Sequence, residues 1–354
     1  MAYTTIDDPS AYFQTTLYTG NASSNKAITN DGNSDLQPDW VWIKERSSTS
    51  SHFANDSVRG AGKNLYTDLA GAEGTNTALF TSFNSDGFTV GNTNQGNQNN
   101  ETYVAWQWKA GTSFSNDASS TSVGSIDSAG SVNTDAGFSI INVVKANTTA
   151  HTVAHGLGAV PQMIIGKNLA DGLRWIVYHQ AIGNTHALYL NEDFAKTDSV
   201  TFWNDTTPTS SVFSLGTDNS WNGTSIFYCF AEKKGYSKFS SYVGSGSAPG
   251  TFSYLGFKPA FLLIKEDGED GWGMYDNKRN FKVGNTTSLL LQANDNGAES
   301  NAAANQIDFL SNGFVVSASG TQGNFINESG KTYIYMAFAE NPLVTSTGIP
   351  TTAR

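Results

Sequence analysis

The sequence has few charged side chains and a single cysteine. Asp, Glu, Lys and Arg together make up 14% of its 354 residues, below the ~25% of an average soluble protein, so we expect a mostly neutral, polar surface. Cys229 has no second cysteine to pair with, which excludes an intramolecular disulfide. Because Cys229 lies in an apolar run, we expect a buried and unreactive thiol. Stability must then come from packing.

Long apolar runs are also lacking. No stretch approaches the ~20 apolar residues of a membrane-spanning helix, and the start Met1-Ala2-Tyr3-Thr4 has neither the basic nor the apolar region of a signal peptide. We therefore expect a soluble protein made in a cytoplasm, with no membrane insertion. The formal net charge of −11 repels phosphate backbones, so we expect no nucleic-acid partner.

The most informative feature that the sequence does contain is one pattern written three times. Three apolar runs each begin at a proline and reach a lysine six residues later: Pro38 to Lys44, Pro161 to Lys167 and Pro259 to Lys265. Each run is followed, at a similar distance, by an apolar segment that closes on an aromatic residue: Trp108, Phe230 and Phe338. Similar events in the same order predict one structural unit used three times.

The local pattern is typical of β-structure. Short segments rich in Val, Ile, Phe, Tyr and Trp are separated by clusters of Gly, Asn, Asp and Ser, as expected of strands and turns. Residues 40–43 and 261–264 are continuously apolar, which indicates strands covered on both faces. We predict an all-β fold of three tandem antiparallel β-sandwich units that are jelly-roll-like.

The boundaries of these units follow from composition. We predict a first sandwich at residues 1–112, a second at 135–236, and a third at 237–354 that ends in an irregular C-terminal tail. Residues 113–134 are rich in Ser and Gly and are interpreted as a flexible or meandering connector. The second and third units are joined almost directly through residues 232–238, so we expect a fixed geometry between them.

Two clusters have the residue types of a metal site, and neither has a convincing pattern. His151 and His155 are four apart, which on a strand places both rings on one face, but no third ligand is evident. Glu266 to Asp270 contains four carboxylates around a glycine, and calcium prefers oxygen-rich loops. We favour a structural role for the histidines and a solvated acidic turn, and predict neither a metal nor another cofactor; whether residues 266–270 bind a cation stays open.

Catalysis by a pair of carboxylates is the enzymatic alternative. The candidates for a glycan-cleaving pair are ordinary acids in turns or on the surface: Asp56, Glu101, Asp276, Asp308 and Glu340. Two of them recur with an arginine three residues later, Arg59 and Arg279, while the second unit has His179 at this place. An Asp/Arg pair that holds a loop explains this recurrence without chemistry. We therefore predict no catalytic residues.

The eight tryptophans are candidates for a ligand-binding surface, because an exposed indole ring can stack on a sugar ring. Those at strand positions that match apolar residues in the sister units are expected in the core. Trp203 and Trp221 lie instead among Asn and Asp in the second unit, so we expect them to be the exposed pair and assign them as the candidate ligand-binding residues.

Several segments of the chain together resemble a known group of proteins. These are residues 3–10, 13–15, 18–21, 36–44, 103–106, 155–158, 228–232 and 333–340. They resemble virion structural and tail-fibre-like proteins of marine tailed bacteriophages that carry a repeated domain of unknown function. The resemblance covers nearly the whole chain and implies a component of a phage particle, without implying any catalytic residue.

The resulting expectation is a non-enzymatic virion surface protein with a structural and host-adhesive role. Its partners would be other virion proteins of the tail or capsid and a host surface glycan, and we expect a homotrimer. Two alternatives remain open: a capsid decoration or head-fibre protein, and a glycan depolymerase that uses a carboxylate pair. Cell binding that host polysaccharide competes away favours an adhesin over a decoration protein, and glycan release requires the depolymerase.

Overall fold

The computed structural model describes residues 2–279, 286–301, 306–317 and 324–351. Over these residues the protein is all-β, as predicted, with several antiparallel sheets. The helices in this part of the chain are single turns: α1 (Asn94–Asn97), α2 (Ala118–Thr121), α3 (Val200–Trp203) and α4 (Asn324–Asn327), with 3-10 turns at Pro9–Ala11 and Asn219–Trp221.

The first part of the chain folds into two sheets. Its strands are β1 (Phe13–Thr19), β2 (Lys26–Ile28), β3 (Trp40–Glu45), β4 (Phe53–Asp56), β5 (Lys63–Tyr66), β6 (Gly74–Thr75), β7 (Phe80–Phe83), β8 (Phe88–Val90) and β9 (Thr102–Trp108). Six of them form what we call the first large sheet, in the order β1-β9-β3-β4-β5-β6. The other three form a small sheet in the order β2-β8-β7.

The second part of the chain builds a wider sheet. Its strands are β10 (Thr112–Asn116), β11 (Ser128–Asn133), β12 (Phe138–Lys145), β13 (His151–Ala154), β14 (Met163–Asn168), β15 (Ile176–His179), β16 (His186–Tyr189), β17 (Thr197–Asp198), β18 (Val212–Leu215) and β19 (Gly223–Phe230). The second large sheet has the order β10-β11-β12-β19-β14-β15-β16-β17, and β13 pairs with β18 in a small sheet.

The last part again forms two sheets. Its described strands are β20 (Ser237–Val243), β21 (Phe252–Tyr254), β22 (Phe257–Glu266), β23 (Trp272–Asp276), β24 (Thr286–Thr287), β25 (Leu289–Gln292), β26 (Ser300–Asn301), β27 (Ile307–Leu310), β28 (Gly313–Val316) and β29 (Thr332–Pro342). The third large sheet has the order β20-β29-β22-β23-β25-β26, and the small sheet has the order β21-β28-β27-β24.

The three large sheets share one strand order. In each, the strand from the recurring proline run lies between the closing aromatic strand and the next strand along the chain: β3 between β9 and β4, β14 between β19 and β15, β22 between β29 and β23. All of these pairs are antiparallel. The sequence pattern that recurs three times therefore occupies the same central position in three sheets.

The segment interpreted as a flexible connector differs from that expectation. Residues 112–116 and 128–133 form β10 and β11, and β11 pairs with β12, so that they widen the second large sheet by two strands. Their alternating small side chains suit a pleated surface, but the high content of Ser and Gly hides this signal at the level of composition. Among the described residues, the first and third large sheets have no strands equivalent to β10 and β11.

The core explains the continuously apolar strands. On one face, the three large sheets meet in a single central cluster that includes Trp40, Phe138 and Phe261. On the opposite face of the first large sheet, Val41 and Ile43 pack in a separate cluster with Phe80 and Phe88 of the small sheet β2-β8-β7. All six residues of β3 are buried. The prediction of strands covered on both faces is confirmed.

Candidate functional sites

Three equivalent lysines are buried at the ends of their strands. Lys44, Lys167 and Lys265 are at most 1% exposed, and burial lowers the pKa of each to about 8. Each ammonium group donates to two backbone carbonyls of the turn that follows: Lys44 to Glu45 and Ser48, Lys167 to Asn168 and Asp171, Lys265 to Glu266 and Gly268. A lowered lysine pKa can indicate a nucleophile, but these amines are enclosed and bonded to the backbone, so they fix the turns.

The turns fixed by the lysines join the large sheets in a closed ring. One backbone hydrogen bond of the same kind crosses each junction: Glu73 N to Leu169 O (2.9 Å), Lys196 N to Asp267 O (2.9 Å) and Glu299 N to Arg46 O (2.8 Å). Each acceptor lies two residues after a buried lysine. The first sheet thus contacts the second, the second the third, and the third the first.

A second ring of contacts places the recurring acids. Asp56 accepts a hydrogen bond from the hydroxyl of Tyr228 in the second large sheet (2.7 Å), and Asp276 accepts one from the indole of Trp106 in the first (3.0 Å). At the junction between the second and third large sheets, His179 occupies the position of the acid. Its Nε2 lies 3.2 Å from the carbonyl oxygen of Tyr335. Burial lowers the pKa of His179 to about 4, so the ring is neutral and donates to this carbonyl.

The two acids also form ion pairs within their own turns. Asp56 binds the Nε of Arg59 at 2.5 Å, and Asp276 binds the Nε of Arg279 at 2.6 Å. The four side chains are at most 2% exposed. The interpretation of the recurring Asp/Arg pair as a loop-holding contact is confirmed. Because each carboxylate accepts from an arginine and from a neighbouring sheet, neither is available as a general acid or base.

The other three acids considered for catalysis are also engaged. Glu101 accepts a hydrogen bond from the hydroxyl of Ser47 (2.5 Å). Asp308 accepts hydrogen bonds from Thr286 and Ser317. Glu340 forms an ion pair with Lys258 at 2.9 Å. Each belongs to a different local contact.

The expectation that Trp203 and Trp221 are exposed is wrong. Their exposed fractions are 2% and 1%, and their ring centroids lie 5.3 Å apart inside the cluster between the second large sheet and the small sheet β13-β18. Two of the Asn and Asp neighbours that suggested a surface loop are helix caps: Asn204 is the C-cap of α3 and Asp218 is the N-cap of the 3-10 turn. Both tryptophans are buried in this cluster, and a sugar ring cannot reach them there.

Another pair of aromatic side chains is exposed instead. Phe252 and Tyr254 are 46% and 49% exposed. They alternate with buried Ser253 on β21, which is an edge strand of its small sheet, so their rings project from the same face. The ammonium group of Lys238 lies 5.7 Å from the ring centroid of Tyr254. We call Phe252 and Tyr254 the aromatic strip; the alternation Phe-Ser-Tyr was the sequence signal for it.

The two histidines considered for a metal have separate structural partners. His151 lies with Nδ1 3.1 Å from the hydroxyl of Ser125. His155 is fully buried, accepts a hydrogen bond from the backbone N–H of Leu157, and has its Nε2 3.1 Å from the carbonyl of Thr209. Burial lowers the pKa of His155.

The acidic turn is held by lysines. Asp267 forms an ion pair with Lys196 across the junction between the second and third large sheets (2.6 Å), and Glu266 forms one with Lys331 (3.1 Å). Over the described ranges, no three His, Cys, Asp or Glu side chains are grouped so that they could hold a metal ion. In the same part of the chain, no helix is both long and apolar enough to span a membrane.

Comparison with known proteins gives a family and no activity. A family model described as "Domain of unknown function (DUF7483)" matches residues 8–342, nearly the whole chain. No curated protein matches the chain.

Proposed function

The chain belongs to the DUF7483 family, a domain of unknown function, and from the contacts described above we propose that it is a non-enzymatic surface protein of a tailed-bacteriophage particle. In this role it is a rigid scaffold that carries adhesive surfaces to the host. The phage setting depends on the sequence resemblance alone. The scaffold role is supported by the structural contacts.

We further propose that the chain is built from three copies of one β-sandwich unit. The shared strand order of the three large sheets supports this, as do the small sheets that accompany them. The jelly-roll-like character and the boundaries 1–112, 135–236 and 237–354 are part of the same proposal. In it, β10 and β11 are an addition to the second unit.

The observation that supports the scaffold role is that the recurring charged residues are buried and form structural contacts. The three lysines bind the backbone of their own turns, and the acids Asp56 and Asp276 bind arginines and a neighbouring sheet. These recurring side chains are thereby enclosed and paired. Such an arrangement stabilises the relative position of three sheets and leaves binding to the exposed surface.

A cell-binding assay tests this function. Fluorescently labelled protein is incubated with cells of marine bacterial strains that tailed phages infect, with and without purified host polysaccharide as competitor, and reducing ends are measured in parallel. We expect saturable binding that the polysaccharide competes away, with no release of sugar. Release of oligosaccharides contradicts the non-enzymatic assignment, and absence of binding to every strain contradicts the adhesive one.

We also propose that the protein assembles as a homotrimer and binds other proteins of the virion. Light scattering coupled to size-exclusion chromatography measures the assembled mass directly. Three times the mass of one chain is the expected result, and a monomeric mass at micromolar concentration contradicts the trimer.

A further inference from the structure

A pocket opens where the second large sheet meets the first, on the side of the lysine-bound turns. It has a volume of ≈ 410 Å³ and is lined by Ala70, Gly172, Leu173, Arg174, Tyr189, Glu192, Phe202, Asp218 and Ser220. Small-molecule sites in proteins commonly have ~300–1,000 Å³. Ala70 belongs to the first part of the chain and the other lining residues to the second, so the pocket depends on the junction.

Arg174, which lines this pocket, lies over two aromatic rings. Its guanidinium carbon lies 5.1 Å from the ring centroids of both Tyr189 and Phe194. Its Nε donates to Glu192 at 3.2 Å. Within the described residues, Nη1 and Nη2 have no acceptor, although the side chain is only 47% exposed. The rings and the carboxylate thus fix the orientation of the guanidinium group and leave its two terminal nitrogens available as donors.

Other polar groups of the pocket are also available. The hydroxyls of Tyr189 and Ser220 and the second carboxylate oxygen of Glu192 make no hydrogen bond with the described part of the protein. Donors, acceptors and aromatic carbon therefore line one small space. Sugars present hydroxyls that both donate and accept, along with apolar C–H faces, and this mixture of groups complements them.

The charge of the pocket narrows the ligand class. Arg174 contributes one positive charge, while Glu192 and Asp218 contribute two negative ones, and the whole chain carries −11. This net negative charge repels a phosphate, a sulfate or a uronic acid. A neutral saccharide carries no charge and is not repelled.

Arg174 is not part of the pattern shared by the three large sheets. Arg174 immediately precedes Trp175, and the residues before the equivalent positions His52 and Trp272 are Ser51 and Gly271. The scaffold can evidently be built without an arginine at this place.

We propose that this pocket, centred on Arg174, binds a neutral saccharide through its hydroxyl groups. The inference rests on the proposed adhesive function and names the ligand class and the residues of one contact site. It gives Arg174 the role that the sequence had assigned to Trp203 and Trp221.

Saturation-transfer NMR with the whole chain tests the pocket. The probes are neutral oligomers of glucose, galactose, mannose and N-acetylglucosamine, with inorganic phosphate and glucuronic acid as anionic probes. We expect at least one neutral oligomer to bind, and Arg174→Ala to weaken its affinity about 10-fold or more because charge-assisted hydrogen bonds are lost. Arg174→Lys, which keeps the charge but loses the planar fork, should also weaken it.

Lys278→Ala is the matched control, since it removes a cation that is 37% exposed and that pairs with Asp31 between the third and first parts of the chain, and it should leave affinity unchanged. Thermal unfolding of each variant shows whether it is folded. The proposal is overturned if no neutral oligomer binds, if only the anionic probes bind, or if folded Arg174→Ala binds like the wild type. If the wild type binds cells in any of these cases, the adhesive function is kept and only the pocket proposal is rejected. If the wild type does not bind cells, the adhesive function is rejected, and the NMR result alone decides whether the pocket binds a saccharide.

Discussion

Replacing Asp56 by asparagine removes one charge from the junction between the first and second large sheets without changing the shape of the side chain. The carboxylate is fully buried and accepts from the Tyr228 hydroxyl (2.7 Å), the Nε of Arg59 (2.5 Å) and the backbone N–H of Arg59 (2.8 Å). An asparagine places an NH₂ group where one oxygen was. That group faces a donor, and the guanidinium group keeps only Glu73 at 3.3 Å as a charged partner.

The expected cost follows from this geometry. Breaking a buried ion pair by removing one partner typically costs ~3–5 kcal/mol, because the remaining charge is left in a poorly solvated site. The total free energy of unfolding of a protein is only ~5–15 kcal/mol. Asp56→Asn should therefore lower the free energy of unfolding by about 3–5 kcal/mol.

Urea unfolding measures this change. The eight tryptophans, several of which lie in the central core, give a fluorescence signal, and the midpoint and slope give the free energy by linear extrapolation. Asp31→Asn is the control: it removes an ion pair that joins loops of the first and third parts of the chain, Lys278 to Asp31, but whose acid is 61% exposed. An exposed pair is worth ~0–1 kcal/mol. Equal losses in the two variants would refute the reasoning that burial makes the Asp56 contact strong.

Two further predictions concern pH and the surface. Burial lowers the pKa of His179 to about 4, against ~6.5 in the unfolded chain. Between these two pH values the unfolded state binds more protons than the folded state. The contribution of His179 to the free energy of unfolding is therefore complete above pH 6.5 and falls by about 3 kcal/mol as the pH is lowered to 4. In urea titrations at several pH values, His179→Gln should show a shallower decline than the wild type, and an identical slope would contradict the shift. Phe252→Ala combined with Tyr254→Ala should reduce cell binding without lowering the unfolding midpoint, because both rings are about half exposed; unchanged binding would exclude the aromatic strip as a contact surface.

The parts of the fold that could be predicted are those that depend on residues close together in the sequence. Residues 40–43 and 261–264 are continuously apolar because these strands are buried on both faces, and this is visible in the residues themselves. The ion pairs of Asp56 and Asp276 could be predicted because their arginines are three residues away. Local recurrence was sufficient in both cases.

The parts that could not be predicted depend on packing partners distant in the chain. The ring of contacts between sheets joins residues such as Trp106 and Asp276, and no local pattern reports that pairing. Trp203 was misplaced because capping residues and solvent-exposed loops have the same composition. The pocket at Arg174 was missed because the aromatic rings that contact the arginine, Tyr189 and Phe194, lie 15 and 20 residues later in the sequence. They reach Arg174 only because β16 folds back and pairs with β15.

Calorimetric unfolding tests most directly whether the three large sheets form one scaffold. Because a single central cluster and two rings of hydrogen bonds join them, we expect one transition whose calorimetric enthalpy equals its van't Hoff enthalpy. Two or three separate transitions, with a calorimetric enthalpy well above the van't Hoff value, would show that the sheets unfold independently and would contradict the scaffold.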